Sequence, residues 1–110
     1  MRAQSLILTA TLLAVVGAVH ADDQGGKTVY QGTCIACHGP DGKGVLPGVP
    51  DFTAPNSPLS QPDGVLIKHI TEGFQAPDSP MAMPARGGNP TLTDTQISEA
   101  LAYIRKTFKP

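Results

Sequence analysis

The stretch Cys34-Ile35-Ala36-Cys37-His38 constrains this chain more than any other. It holds both cysteines of the 110-residue sequence, and a histidine follows the second directly. Cys-x-x-Cys-His is the attachment signature of a c-type haem. The spacing has a geometrical reason. Two thiols three positions apart, at the end of a helical turn, reach the two vinyl groups along one haem edge. The next residue then falls beneath the iron, where an imidazole nitrogen serves as an axial ligand. Other readings of the pair lack what they need. A structural zinc site takes four ligands, and no second Cys or His pair stands at suitable spacing. A thioredoxin-like redox pair wants a βαβ setting. A plain disulfide would leave His38 without a role.

The first 21 residues read as an export signal. Arg2 gives a short positive start, residues 6–19 are apolar, and Val19-His20-Ala21 offers small residues where a signal peptidase cuts. The apolar stretch falls short of the roughly 20 residues that span a bilayer, so an uncleaved anchor is the weaker reading. The expected organisation is a signal peptide at 1–21 and one domain at 22–110. That implies delivery to the periplasm and no membrane span after cleavage. A domain of this length buries a modest core. There is no Trp, and the aromatics are two Tyr and three Phe. Such a chain needs a staple. Cysteines confined to one short motif cannot close a long loop, whereas a large apolar prosthetic group can complete a core. The formal charge of −1 becomes −2 when Arg2 leaves with the signal. No charge run suggests nucleic acid or an anionic membrane as partner.

Three helices are expected. The first lies within residues 22–32. Val29 and Tyr30 are its apolar residues, and Gly25, Gly26 and Gly32 weaken it by about 1 kcal/mol each. The second spans residues 59–73, with Ser60 as N-cap, Pro62 in the first turn, Leu66, Ile67 and Ile70 as its apolar stripe, and Gly73 as its stop. The third, within residues 91–108, opens with a Thr93–Gln96 capping box. It carries Ile97, Leu101, Ile104 and Phe108 on one face, and Arg105 and Lys106 near its end suit the helix dipole. Two loops rich in Pro and Gly separate the helices. In the first, a Pro carbonyl could accept a hydrogen bond from the far nitrogen of His38 and raise its basicity as a ligand. Pro50 is the candidate and Pro47 the runner-up. In the second, Met81 and Met83 stand in a stiff segment without helical period. A thioether there suits the sixth iron position, and the adjoining Pro84 favours Met83. His69 as a second iron ligand is the weaker alternative.

In this order the motifs resemble a small class I c-type cytochrome. The matching residues are Gly26-x-x-Val29-Tyr30, Cys34-x-x-Cys37-His38-Gly39, Asp41-Gly42-Lys43-Gly44, Pro50-Asp51-Phe52, Met83-Pro84-Ala85 and Ala102-Tyr103-Ile104. Residues 83–90 look most like the bacterial cytochrome c5 type. The resemblance implies an all-α fold, with long loops and three main helices around one covalent haem c. The N- and C-terminal helices would cross closely, bringing Gly26 and Tyr30 to the face carrying Tyr103. It also implies Cys34 and Cys37 as attachment points, His38 as proximal ligand, Met83 (alternatively Met81) as distal ligand, and Pro50 as the partner of His38.

The expected function is one-electron transfer on an Fe(II)/Fe(III) haem, without catalysis. Docking would be transient, between a donor dehydrogenase and an acceptor oxidase or reductase, at the haem edge near Ala36 and residues 81–85. Lys43 and Arg86 would lie on its rim. A dedicated cytochrome subunit of a periplasmic dehydrogenase is one alternative. A haem enzyme or gas sensor with an open sixth site is another.

Overall fold

The computed structural model describes residues 10–15 and 23–110. The expected signal peptide therefore lies largely outside the described residues. Within residues 10–15, Leu12, Leu13 and Val15 leave their side chains exposed instead of packing on the domain. No helix of the described residues is long and apolar enough to cross a membrane.

The first helical run is longer than the sequence pattern predicts. α1 (Asp23–Val29) passes into a π-helical turn at Tyr30–Cys34, and α2 (Ile35–His38) continues it. One run thus carries the chain from the domain's start to the haem motif. A π turn widens the helix locally and is a common device at functional sites. Here it ends at Cys34, the first cysteine of the Cys-x-x-Cys-His stretch.

α3 (Asp63–Glu72) and α4 (Asp94–Thr107) follow. The Thr93–Gln96 capping box forms as expected, with Thr93 N–H donating to Gln96 Oε1 at 2.9 Å and Gln96 N–H to Thr93 Oγ1 at 3.2 Å. The Ser60 cap does not form. α3 starts after Pro62 without a side-chain cap, and Ser60 belongs to a preceding 3-10 turn, Pro58–Ser60. Ser57 caps that turn by accepting from Leu59 N–H at 3.2 Å. The hydroxyl that sits before Pro58, rather than the one before Pro62, takes the capping role. Arg105 then joins turn, α3 and α4. Its guanidinium donates to the carbonyls of Leu59 and Gln61, both at 2.6 Å, and to Asp63 Oδ1 at 2.7 Å. Arg105 is thus a clamp between elements as well as a charge near the helix end.

α1 crosses α4 closely. A Cβ on Gly26 would collide with the backbone carbonyl oxygen of Glu99 and come within 2.8 Å of Tyr103 Cβ. Glycine is required there by the approach of the two backbones. The crossing puts Tyr30 5.5 Å from Tyr103 and 5.3 Å from Phe108, ring centre to ring centre. Two small buried clusters result. Val29, Leu92, Ile97 and Ala100 form one; Tyr30, Phe52, Ile104 and Phe108 form the other. The described residues contain no strand, only an isolated antiparallel bridge between Phe74 and Met83.

Candidate haem-binding site

The helical run ends at His38, and the following loop folds back on the motif. Gly44 N–H donates to His38 O and Val45 N–H to Cys37 O, each at 2.9 Å. Phe52 N–H donates to Gly42 O at 2.8 Å, which brings its ring onto His38 in a stack of 4.6 Å. Asp51 stiffens this segment, accepting from Thr53 N–H at 2.8 Å and Thr53 Oγ1 at 2.6 Å. Those bonds hold its carboxyl below the ordinary range. Tyr30 Oη donates to Gly39 O at 2.6 Å and pins the chain one residue beyond His38.

On the other side, the second loop is locked at Met83. Phe74 N–H donates to Met83 O at 3.0 Å and Met83 N–H to Phe74 O at 2.7 Å. The neighbouring turn, Ala85–Gly88, holds Arg86 at φ 54° and Gly87 at φ 62°. A Cβ on Gly87 would come within 2.7 Å of Thr33 Cγ2, and Asn89 Nδ2 reaches Thr33 Oγ1 at 3.5 Å. The second loop therefore seats directly against the π turn beside Cys34.

Between the two loops lies a cavity of about 440 Å³, in the size range of ligand pockets. Cys34, Cys37, His38, Pro50, Met81 and Met83 all line it. Two smaller cavities adjoin it, one reaching Ile97 and Ile104, the other Leu66 and Leu101. Met83 borders all three, whereas Met81 borders the large one alone and is 38 % exposed. His69 borders only the cavity that reaches Leu101, and its ring stacks on Phe74 at 3.9 Å.

The residues present fit a covalently held haem. Both cysteines are free of a disulfide. Burial first, and then Cys37, push the Cys34 thiol up to about 11. An uncharged thioether suits that apolar setting; a thiolate does not. Burial also lowers the pKa of His38, keeping its imidazole neutral as a metal ligand must be. His38 Nδ1 is buried without a hydrogen-bond partner, a state that costs free energy unless something else completes the site.

That spare nitrogen bears on the expected role of Pro50. Pro50 shares the cavity with His38, but no bond joins its carbonyl to the ring. The loop spends its hydrogen bonds on closing its own backbone around Gly42 and Gly44, and Pro50 is left exposed at the wall. Arg86, expected on the rim, donates from its guanidinium to Leu92 O at 2.6 Å and pairs with Asp94 at 2.9 Å. Sequence reasoning missed this bond, and a basic residue just after a Pro-Ala pair gives no signal of it.

Residues 24–108 match the cytochrome c family. Among curated proteins, the cytochrome c-555 of Prosthecochloris aestuarii is 38 % identical over 83 residues, covering 72 % of this chain and 81 % of its own. That of Chlorobaculum tepidum is 33 % identical over 98 residues, covering 89 % and 88 %. That of Chlorobaculum thiosulfatiphilum is 34 % identical over 83 residues, covering 76 % and 93 %. The chain belongs to the cytochrome c family, small electron-transfer proteins that hold haem c and its iron covalently through a Cys-x-x-Cys-His stretch.

Proposed function

We propose that this chain is an exported, periplasmic one-electron carrier, with His38 and Met83 as the two axial ligands of its haem and no catalytic activity of its own. When bound, the haem supplies the redox chemistry, its iron passing between Fe(II) and Fe(III). The chain's residues do the rest. Cys34 and Cys37 hold the group in place. His38 is kept neutral by burial and oriented by the Phe52 ring. Met83 is fixed on both sides of its backbone by Phe74, which limits rearrangement when the iron changes charge. The apolar walls keep water from the iron, and a soft thioether ligand raises the potential relative to a second histidine.

The observation that carries this reading is the position of Met83. It borders both of the described cavities that His38 lines, and its backbone is tied down. Met81 is held only through Ser79, whose Oγ donates to Met81 O at 2.8 Å. The cavity also favours a carrier over a haem enzyme, because its lining is largely apolar and offers few groups to activate a bound substrate. Export rests on the charge, apolar run and cleavage pattern of residues 1–21. Donor and acceptor are redox proteins that dock transiently.

The test is optical. Ferric wild-type protein should show the sulfur-to-iron charge-transfer band, Met81→Ala should keep it, and Met83→Ala should lose it. A band lost in Met81→Ala and kept in Met83→Ala would reverse the assignment. Tight binding of CO by the unaltered ferrous protein would replace the carrier reading with an open-site one. N-terminal sequencing of the exported protein should begin at Asp22.

A further inference from the structure

The turn at Ala85–Gly88 contains the only non-glycine residue with positive φ among the described residues, Arg86. L-residues avoid that region, and one persists there only when its surroundings over-determine it. The surroundings of Arg86 do so. Nη1 donates to Leu92 O at 2.6 Å and Nη2 to Asp94 Oδ1 at 2.9 Å, at the entrance to α4. Leu92 is itself buried with Val29, Ile97 and Ala100. The side chain therefore ties the turn to the entrance of α4, beside a buried cluster. Arg86 also borders the cavity shared by His38 and Met83. It stands three residues after Met83, with only Pro84 and Ala85 between. The Phe74 bridge holds Met83 from one direction, and the arginine holds the chain just beyond it from the other.

We infer that Arg86 is a positioning residue for the distal side of the haem: its two bonds to the α4 entrance hold the Met83 turn closed over the iron. The inference rests on the reading of Met83 as distal ligand. Arg86 is three residues from the sulfur and carries its effect through the backbone, so its substitution changes how firmly the thioether holds, not whether one is present. A ligand that must wait for the thioether to leave binds with an affinity reduced by the fraction of open sites. Loosening the turn raises that fraction. A guanidinium fork suits the task, since one rigid group reaches a carbonyl and a carboxylate together.

Imidazole binding to the ferric holoprotein reads the open fraction directly. Arg86→Gln, which cannot reach both acceptors, should bind imidazole about tenfold more tightly than wild type. Arg86→Gly should do the same, although glycine accepts the left-handed backbone freely. That result would show that the bonds, rather than the backbone conformation, hold the turn. In a Met83→Ala background the Arg86→Gln change should have no further effect, because no thioether remains to be released. Imidazole affinity in Arg86→Gln within twofold of wild type would overturn the inference. So would wild-type affinity in Arg86→Gly, or an effect of Arg86→Gln that survives in Met83→Ala. If Arg86→Gln fails to mature, Asp94→Ala removes one acceptor and leaves the arginine in place. It should tighten imidazole binding about threefold, and no change would count equally against the inference. A charge-transfer band that persists in Met83→Ala is a separate failure, of the ligand assignment, and the imidazole measurements on the otherwise wild-type background distinguish the two.

Discussion

Tyr30 is 1 % exposed, and the one polar atom it carries into the core is matched there, its Oη donating to Gly39 O at 2.6 Å. Tyr30→Phe keeps the ring contacts with Tyr103 and Phe108 and removes only this bond. A buried carbonyl left without a donor costs about 1–3 kcal/mol. Gly42 N–H also approaches Gly39 O, at 3.4 Å, and softens the loss. The expected cost is therefore near the lower end, about 1 kcal/mol, read from denaturant unfolding of the holoprotein at neutral pH. The difference should depend on pH in a definite direction. Burial above all, with neighbouring negative charge adding to it, raises the Tyr30 phenol above its ordinary 10.0. Its contribution is thus complete below the unfolded value near pH 10 and is lost as pH rises through the folded one. The stability gap between wild type and Tyr30→Phe should close above pH 10; a gap constant through pH 11 would refute the assignment. Single residues also mark how far the sequence could be read. Cys34, Cys37 and His38 announce their chemistry because it depends on neighbours in the chain. The partners of Tyr30, Arg86 and Arg105 include backbone carbonyls at Gly39, Leu92, Leu59 and Gln61. A carbonyl carries no residue signature, so those bonds left no trace in the sequence. The partner of His38 is hard to read for a related reason: a proline near a histidine says nothing about which way its carbonyl faces.

At the scale of elements, the crossing of α1 on α4 sets the frame that presents Cys34 and His38. Gly26→Ala tests it with two opposing terms. Alanine is the better helix former by about 1 kcal/mol. Against that, its Cβ meets the Glu99 backbone and Tyr103 Cβ, and overpacking costs about 1–3 kcal/mol, more where backbone cannot yield. The clash should win. Thermal unfolding of the holoprotein should fall by several degrees, at about 4–8 °C per kcal/mol for a domain of this size. Gly64→Ala is the control. It sits in the first turn of α3 with nothing within 4 Å of the added Cβ, so it should raise the midpoint instead. Equal and small shifts in both variants would mean the crossing is not tight. α4 was legible almost to the residue, since its capping box and apolar spacing are local signals. The first run was not: its π turn has no sequence mark, and Gly25 and Gly26 look like breaks until α4 is laid across them. The start of α3 was placed too early, at Ser60, because a serine just ahead of a proline looks like a cap; Ser60 instead ends a 3-10 turn capped by Ser57, and α3 begins after Pro62 with no side-chain cap.

For the whole molecule, the decisive fact is how little core the chain makes alone. Among the described residues, eight buried residues form two clusters, Leu66 and Leu101 are buried besides, and the cavity carrying Cys34, His38 and Met83 opens between the elements that bear them. That cavity is open to solvent, with Met81 and Phe74 partly exposed on its wall, and its lining is largely apolar, so without an occupant it leaves apolar surface wetted. A haem seated there would complete the core, as the scarcity of aromatic residues suggests from sequence alone. Cys34→Ala combined with Cys37→Ala, purified without haem, should lose the fold along with the attachment. The expected signature is weak helical circular dichroism and no cooperative thermal transition. Retention of the helical signal with a cooperative transition would show that the two clusters suffice, and that the haem is a passenger in a scaffold stable without it. The same variant separates attachment from filling. If excess haem restores a cooperative transition without thioether bonds, occupancy of the cavity carries the stability, and Cys34 and Cys37 serve retention.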